Sequence, residues 1–485
     1  MAEYADLEIG IHRWDPVNYA IDLRFLAPKQ DAEDRLLDKG PALIAFDPEA
    51  LKALPDDPAE YGRALTRSLF ATEALRSAFR TARARAGEAL LRFRIFVGPS
   101  APELHELKWE TLLDPDDPWV KDAPAAASPA SGAAASAAPP AFLATNQRIP
   151  FSRFLTAVNF RSIPPRTDDV FRVLAVIANP VEISRFKVDG VALAPVDVDR
   201  ELSILKASSA PREGRDVRLT TLASGGQASL KSLIERLRQG DPDHRQPYDM
   251  LYIVAHGTLR SGVPVIFFED DSGAVDPVYG KVLVDRIKDL AQLPRVVVLV
   301  SCQSAGDGGE ARGSDSKGVL AALGPSLADA GVPAVLAMLG SVSMATMVEF
   351  LPVFLDTLQN DGQVDVAVAA GRGRVRNRFD AWMPVLFSPR RASREVAGAG
   401  EGAPTGLNRG TKRWRRRPTR PRPTPALPSG ETTTRTSAPA RSARGSRCSA
   451  ANRNCSSWST RRSPTGSSCS TPPRAPARPR CSRPG

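Results

Sequence analysis

The sequence predicts an α/β protein whose mainly parallel sheet is covered by helices on both faces. From Phe171 onward, apolar runs such as "FRVLAVIANP" and "RVVVLVSC" alternate with amphipathic stretches such as "SLKSLIERLRQG". Strands that are apolar throughout are typical of parallel strands buried on both sides. Their alternation with helices indicates the crossover connections of such a sheet. A small α+β region precedes this core, and a tail that we predict to be disordered follows it.

Residues 1–122 form the predicted N-terminal α+β region. Its short apolar runs, "YAIDLRFL" and "ALLRFRIFVG", indicate strands, and the stretch near Tyr61 to Ala86 indicates a helix. The Ala/Pro/Ser-rich run over residues 123–141 has no apolar pattern that a core could bury, so we predict a linker or a loop insertion. We expect the N-terminal region to be partly integral to the core.

The predicted core spans residues 142–392. Six apolar runs predict strands: "FRVLAVIANP", "DVRLTTL", "YDMLYIVAHG", "RVVVLVSC", "VPAVLAML" and "WMPVLF". The segment "VPVIFFED" predicts a hairpin arm. Five stretches predict helices: "SLKSLIERLRQG", "KVLVDRIKDLAQ", "KGVLAALGPSLADAG", "MATMVEFLPVFLDTLQ" and "VDVAVAAGRGRVRN".

The tail, residues 393–485, differs sharply in composition from the rest of the chain. It is rich in Arg, Pro, Ser, Thr and Ala, and after Val396 it contains no Val, Ile, Phe, Tyr, Met or Asp. Such a segment cannot bury enough apolar area to offset the entropy of the chain, so we predict disorder. The abrupt change is also typical of a GC-rich gene read in a shifted frame, which we keep as a hypothesis.

The net charge of +11 comes from the tail. Residues 391–485 hold 21 of the 65 basic and 3 of the 54 acidic residues, which leaves 44 basic and 51 acidic residues in 1–390. A mildly acidic body argues against specific nucleic-acid binding. The Arg run "KRWRRRPTRPR" would bind polyanions non-specifically, so a nucleic-acid-associated role through the tail is the weakest functional hypothesis.

Cysteine usage favours a reducing compartment. The body has a single cysteine, Cys302, and the other four lie in the tail at spacings that match no zinc motif. The N-terminus lacks the basic and apolar regions of a secretory signal, and no apolar run approaches the roughly 18 residues of a membrane span. We therefore expect a cytoplasmic protein that needs no metal, no cofactor and no membrane.

Two strand ends indicate the chemistry of a cysteine hydrolase. "YDMLYIVAHG" ends in His256 and Gly257, and "RVVVLVSC" ends in Cys302, 46 residues after the histidine. In open parallel sheets, functional groups collect outside the carboxyl ends of the strands. An imidazole beside a thiol favours the thiolate, which is the nucleophile. The N–H groups of Gly257 and Cys302 would then form an oxyanion hole.

Each of these residues also has a plainer interpretation. A free cysteine at the end of a core strand is more often a buried filler than a nucleophile, and a lone histidine is usually structural. The pair is more specific than either residue alone, because its separation is close to the roughly 50 residues between the histidine and cysteine of caspases. On this pattern both interpretations stay open.

The order of four segments resembles the CHAT domain, a bacterial caspase-like peptidase family related to caspases and separase: "YDMLYIVAHG", "RVVVLVSCQSAGDG", "AGVPAVLAML" and "WMPVLF". The upstream segments "LKWETLLDP" and "FRVLAVIANP" agree with it. The resemblance implies a caspase-like sheet with His256 as general base and acid and Cys302 as the residue that forms the thioester. It also implies a protein substrate, a role in bacterial signalling, defence or programmed death, and a sensor module or partner that restrains the peptidase.

Two features bear on the substrate. Where the family commonly continues with a Trp-Pro-Val-Ser-Asp-like run, this chain has "GSVSMAT", with Gly340 and Met344 at the positions of Trp and Asp. This departure leaves a second hypothesis, a catalytically inactive caspase-like interaction module. The Gly-rich loop after the cysteine holds Asp307, Glu310 and Asp315, which would favour a basic residue before the cleaved bond. A solvated polar loop is the plainer interpretation of these three residues.

Overall fold

The structure, a computed structural model, describes most of the chain up to residue 389. The described ranges are 3–30, 32–121, 141–155, 168–188, 191–210, 216–223, 225–300, 319–340 and 342–389. The tail and nearly all of the predicted linker lie outside these ranges. The predicted boundaries of the linker and the tail therefore stay predictions.

The N-terminal part of the structure is built from six strands and four helices. The strands are β1 Tyr4–Arg13, β2 Asn18–Leu26, β3 Asp34–Arg35, β4 Ala42–Ala45, β5 Leu90–Val97 and β6 Phe151–Leu155. The helices are α1 Pro48–Lys52, α2 Pro58–Leu69, α3 Glu73–Ala86 and α4 Pro118–Lys121, with 3₁₀ turns at Pro102–Glu106, Trp109–Thr111 and Leu143–Thr145. The predicted helical stretch is two helices, because the Thr72 side chain caps a new helix by accepting the N–H of Leu75.

The remaining described elements follow the predicted alternation. The strands are β7 Val170–Ile177, β8 Lys187–Val188, β9 Val191–Ala192, β10 Asp216–Ala223, β11 Met250–Val254, β12 Gly257–Arg260, β13 Val263–Glu269, β14 Val275–Tyr279, β15 Val296–Val300, β16 Ala334–Met338 and β17 Pro384–Pro389. The helices are α5 Val198–Ser208, α6 Leu230–Gln239, α7 Gly280–Lys288, α8 Val319–Asp329, α9 Met344–Asp361 and α10 Val364–Arg374, with a 3₁₀ turn at Ile183–Arg185. The six predicted strands and five predicted helices of the core are confirmed. Several other elements, among them α5, β1 and β6, were not predicted.

Twelve of the described strands form one sheet. Their order is β10-β7-β11-β15-β16-β17-β6-β5-β1-β2-β3, and β4 pairs with β2. The pairings from β10 to β16 are parallel, as are those from β17 through β6 and β5 to β1. The pairings of β16 with β17, and of β2 with its three partners, are antiparallel. The predicted mainly parallel sheet is therefore confirmed.

Both faces of the central strands are covered by helices, which explains why these strands are apolar throughout. Tyr252 and Val298 pack in a core that includes residues of α5, α9 and α10. Leu251 and Val297, their sequence neighbours, pack in a second core that includes residues of α6, α7 and α8. Successive side chains of a strand point to opposite faces, so each central strand contributes to both cores.

Two buried arginines lie where β6 meets β17, and one of them, Arg372, bonds to both strands. Arg153 in β6 donates to the buried carboxylate of Glu110 at 2.6 Å. Arg372 in α10 donates to the carbonyls of Pro384 in β17 and Phe151 in β6. Burial lowers the pKa of Arg372 to about 10, so the guanidinium stays protonated at neutral pH.

A small antiparallel sheet, β12-β13-β14, follows directly after β11. The predicted hairpin arm "VPVIFFED" is its central strand, β13, which confirms the prediction. Among the described residues, no helix combines the length and the apolar character that would let it cross a membrane.

Candidate active site

The carboxyl ends of β7, β11, β15 and β16 lie side by side at one edge of the large sheet. In the register of β11 and β15, Val254 pairs with Val300. His256 follows Val254 by two residues, and Cys302 follows Val300 by two residues. From the sequence alone these two strands could not be shown to be neighbours, and in the structure they are. Cys302 itself lies outside the described residues.

His256 is a buried side chain at this edge, with 8% of its surface exposed. Its Nε2 lies 2.7 Å from the carbonyl oxygen of Ala194. Because a carbonyl oxygen can only accept a hydrogen bond, the proton of the neutral imidazole is on Nε2. This tautomer leaves Nδ1 as the basic nitrogen.

Burial also determines the protonation state of His256. Desolvation of the imidazolium lowers the pKa of His256 below its usual 6.5, and the hydrogen bond to Ala194 opposes this effect only in part. The side chain is therefore neutral at pH 7. A neutral imidazole is the form that a general base needs before it takes a proton.

Gly257 begins β12, and its N–H points away from the neighbouring strand β13. The N–H of Phe267 donates to the carbonyl of His256 at 2.9 Å, so these two residues form a hydrogen-bonded pair. Such pairs alternate with non-hydrogen-bonded pairs in an antiparallel ladder. Gly257 and Ile266, the next pair, therefore direct their N–H groups outward. This direction is compatible with the predicted role of Gly257 as an oxyanion donor.

Three residues at this edge were not predicted from the sequence. Ala194 contributes only its backbone oxygen, which no side-chain pattern could reveal. Asn179 accepts the N–H of Val196 on its Oδ1 at 2.9 Å, and the fully buried Glu269 accepts the N–H of Asn179 at 2.9 Å. Asn179 and Glu269 each end an apolar run, so in the sequence they resemble ordinary strand ends.

The departing segment "GSVSMAT" begins beyond the carboxyl end of β16, the strand beside β15. Ser343 caps α9, and its N–H donates to Asp380 at 2.8 Å. The hydroxyl of Thr346 donates to the other oxygen of this fully buried carboxylate. Met344, the first residue of α9, is 8% exposed and packs in the same core as the rest of that helix. The part of the segment after residue 341 is therefore held by buried contacts at the edge that carries His256.

The predicted substrate-pocket residues, Asp307, Glu310 and Asp315, lie outside the described residues, as Cys302 does. Their role therefore stays a prediction.

One cluster in the described part of the chain has the spacing of a cation site: Asp241, Asp243 and His244. It precedes β11 and so lies at the amino edge of the sheet, opposite His256. The guanidinium groups of Arg172 and Arg218 lie 3.4 Å and 3.9 Å from the Asp241 carboxylate. Because these cations already balance its charge, the cluster is best described as an ion-pair network.

The fold and this edge define a class of protein, a mainly parallel α/β protein with a candidate active site at the carboxyl ends of its central strands. Within this class, the profile of the CHAT domain matches residues 59–394, which is more than half of the chain. The chain belongs to the CHAT domain family. The predicted resemblance is confirmed, and so is the predicted α/β fold class with its mainly parallel sheet.

Similar solved structures are distant in sequence. The Saccharomyces cerevisiae separase–securin complex is 12% identical with a TM-score of 0.30, over 65% of this chain and 17% of that chain. The complex of Porphyromonas gingivalis RgpB pro- and mature domains is 12% identical with a TM-score of 0.32, over 67% and 70%. The Drosophila initiator caspase Dronc is 11% identical with a TM-score of 0.22, over 42% and 75%. The match thus spans about a sixth of the separase chain. No curated protein matches the chain.

Proposed function

We propose that this chain is a caspase-like cysteine endopeptidase that cleaves a protein substrate through His256 and Cys302. The observation that carries the proposal is the state of His256, a buried neutral imidazole whose Nε2–H is held by Ala194. Its strand lies beside the strand that leads to Cys302. Membership of the CHAT domain family supports the same chemistry.

Covalent geometry supports a contact between the two side chains. Val254 and Val300 are register partners in adjacent strands, and adjacent strands lie about 4.8 Å apart. His256 and Cys302 each come two residues later, and two residues span at most about 7 Å. An ordinary turn of the chain after Val300 would therefore be enough to bring the thiol to Nδ1.

In the proposed reaction, Nδ1 of His256 takes the thiol proton of Cys302, and the sulfur attacks the carbonyl carbon of the scissile peptide bond. Ala194 continues to accept the Nε2–H and so stabilises the imidazolium. The imidazolium then gives its proton to the leaving amine, and the C–N bond breaks to leave a thioester. A water molecule, deprotonated by His256, hydrolyses the thioester and restores the free thiol.

The negative charge on the carbonyl oxygen needs hydrogen-bond donors while the tetrahedral intermediate exists. We assign this role to the N–H groups of Gly257 and Cys302. The outward direction of the Gly257 N–H in the β12–β13 ladder supports the first assignment. Glycine also lets a substrate approach the backbone closely, because it has no Cβ.

The proposed substrate has a basic residue before the cleaved bond. Asp307, Glu310 and Asp315 follow the nucleophile closely in the sequence, and carboxylates pair with guanidinium or ammonium groups.

The proposed setting is the bacterial cytoplasm, in signalling, defence or programmed death. There a sensor module or partner would restrain the peptidase until a signal arrives. The support for this setting is family membership alone.

A cysteine-directed fluorescent probe tests the proposed pair. The experiment uses the full chain with the four tail cysteines replaced by serine, so that only Cys302 can react: Cys448, Cys455, Cys469 and Cys481. We expect labelling of this chain at pH 7, none for Cys302→Ala, and a large decrease for His256→Ala, because the imidazole is the base that generates the thiolate. Cleavage of fluorogenic peptides with Arg, Asp or Leu before the reporter, with each variant, measures turnover and preference.

The same experiment decides between the peptidase and the interaction module. The segment "GSVSMAT" is the observation that favours an inactive module, since it differs from the family pattern beside the candidate site. Equal labelling of the parent chain and His256→Ala would show that the cysteine is not activated and would favour the module. Labelling that depends on His256, together with cleavage of any of the peptides, supports the peptidase.

A further inference from the structure

The carbonyl that holds His256 comes from an exposed part of a long loop. The segment between β7 and α5 includes the two-stranded hairpin β8–β9. Ala194 and Pro195, near its end, are both exposed. An exposed loop carbonyl has many accessible orientations, so a fixed 2.7 Å bond to a buried imidazole needs a restraint elsewhere in the loop.

One such restraint is a side-chain hydrogen bond to the loop, with a single residue between it and the carbonyl. Val196, which is buried, donates its N–H to Oδ1 of Asn179 at 2.9 Å. Only Pro195 separates this N–H from the Ala194 carbonyl. Peptide planes are rigid, and the pyrrolidine ring fixes φ of proline near −65°. Fixing the Val196 N–H therefore leaves a single soft torsion, ψ of Pro195, to orient the carbonyl.

Asn179 is itself fixed from two directions. Its N–H donates to Oε1 of Glu269 at 2.9 Å, and Oε2 of the same carboxylate accepts the N–H of Gly226 at 2.7 Å. On the preceding residue, the N–H of Ala178 donates to the carbonyl of Val254 at 2.9 Å, in the strand that leads to His256. The backbone from which the acceptor oxygen of Asn179 projects is therefore held against the strands of the two sheets.

The same strand, β13, restrains His256 by a second route. Phe267 donates its N–H to the backbone carbonyl of His256, and Glu269, two residues later, anchors Asn179. Contacts that begin at β13 thus hold both the backbone and the imidazole of His256. The backbone bonds to β13 directly, and the imidazole is connected to it through Asn179, Pro195 and Ala194. A hydrogen-bond network that holds both the backbone and the ring keeps a side chain in one rotamer and one tautomer.

We propose that Asn179 is a positioning residue for His256, acting through the Ala194 carbonyl, and that Glu269 anchors it. This inference rests on the proposed function, in which Nδ1 of His256 is the base. Loss of the Asn179 side chain would remove this restraint on the carbonyl, allow both neutral tautomers of the imidazole, and place the proton on Nδ1 for part of the time. A molecule with the proton on Nδ1 cannot accept the thiol proton there.

A plainer role for Asn179 is to brace the loop without affecting the imidazole. The two roles differ in what they do to the tautomer, which nitrogen-15 NMR of the imidazole groups reports directly. The chain has only four histidines, so the His256 signals are assigned by their loss in His256→Ala. This readout needs neither Cys302 nor turnover.

The variants are Asn179→Ala, Asn179→Asp and Pro195→Gly in the full chain without tail cysteines. Asn179→Asp keeps an acceptor oxygen, and Pro195→Gly keeps the Asn179 bond but releases φ. The matched control for the first is Asn146→Ala, which removes another side-chain acceptor of a backbone N–H, that of Arg148 at 2.9 Å, far along the chain from the site. The control for the third is Pro16→Gly, in the exposed turn between β1 and β2.

We expect a single Nε2–H tautomer of His256 in the parent chain and in both controls. In Asn179→Ala we expect two tautomers and a labelling rate of Cys302 that is about tenfold lower, the scale of one lost hydrogen bond. Pro195→Gly should show the same change to a smaller extent, and Asn179→Asp should retain most of the labelling. Thermal unfolding of each variant identifies one that has not folded, and Pro195→Gly, whose replaced side chain is exposed, then serves in place of Asn179→Ala.

An unchanged tautomer and labelling rate in folded Asn179→Ala and Pro195→Gly would overturn the positioning role. If the tautomer responds but the parent chain cleaves no peptide, the positioning role stands and the proposed peptidase function fails. If the parent chain cleaves peptides and the tautomer does not respond, the peptidase stands and the positioning role fails.

Discussion

The two edges of the parallel sheet satisfy their polar groups in different ways. At the amino edge, buried side chains of opposite charge face each other, Arg295 with Asp249 at 3.1 Å and Arg172 with Asp241 at 3.4 Å. At the carboxyl edge, His256 is bound to a backbone carbonyl and the carboxylate of Glu269 to backbone N–H groups instead. Charge is therefore fixed at the amino edge, whereas at the carboxyl edge a side chain can gain and lose a proton without breaking an ion pair.

Two histidines show the same contrast at the level of single residues. The side chain of His244, at the amino edge, is 54% exposed and lies 3.7 Å from the Asp241 carboxylate. His256 is buried, neutral and held in one tautomer by Ala194. The protonation and exposure of an imidazole in this fold therefore depend on which edge of the sheet it lies at.

The largest effect on stability is expected at the amino edge. Asp249→Ala removes the carboxylate that faces the buried Arg295 and that also accepts the N–H of Arg172 at 2.9 Å. Breaking a buried pair in this way lowers the free energy of unfolding by roughly 3–5 kcal/mol, which urea denaturation measures. Asp285→Ala, which breaks the exposed pair with Lys281, is the control and should change it by less than about 1 kcal/mol. Equal stability of the two variants would show that the buried ion pair does not stabilise the amino edge.

A moderate effect is expected from pH at the carboxyl edge. Burial lowers the pKa of His256 below 6.5, so the neutral base persists as pH falls below this value, and the acidic limb of kcat/KM should lie below pH 6.5. The same shift acts on stability. As pH falls, the unfolded chain takes up a proton near pH 6.5, before the folded chain does. The contribution of His256 to the free energy of unfolding is therefore complete above pH 6.5 and is lost as pH falls below it.

The measurement is a pH profile of peptide cleavage together with urea denaturation at pH 8 and pH 5, for the parent chain and His256→Ala. The variant lacks the group, so its stability should fall less between the two pH values. An acidic limb centred above pH 6.5 would contradict a buried neutral base.

The smallest effect is expected from His244→Ala. Its exposed side chain lies at the edge away from His256. Surface substitutions of this kind change the folding equilibrium constant by about twofold at most, and we expect kcat/KM to change no more than that. Peptide cleavage with and without EDTA checks both the residue and the cation-site spacing of its cluster. A tenfold loss of kcat/KM, or a loss on adding EDTA, would show that the amino edge takes part in the reaction.

Much of the fold follows from local pattern. The apolar runs of β7, β11 and β15 are recognisable because both of their faces are buried, and the amphipathic α6 is recognisable from its period. The short strand β6 was not predicted, although it connects the N-terminal strands to β17. A strand of five residues carries too little pattern to be distinguished from a loop, and its role depends on its partners.

The candidate site could be predicted in part. The sequence singled out His256 and Cys302 because a histidine and a single body cysteine end apolar runs, and family membership supports their pairing. It did not single out Asn179, since an Asn-Pro after a strand is an ordinary turn signal.

By itself, the sequence determined the parallel α/β architecture, the family, and the histidine and cysteine that follow two of its strands in the chain. These features depend on local periodicity and on residue type. Only the tertiary structure decided that β11 and β15 are neighbours and that the Ala194 carbonyl holds the imidazole. It also decided that Asn179, bound to Glu269, contacts the loop that carries this carbonyl. Those contacts join backbone and side-chain groups that are far apart in the chain, and a backbone carbonyl carries no signature in the sequence.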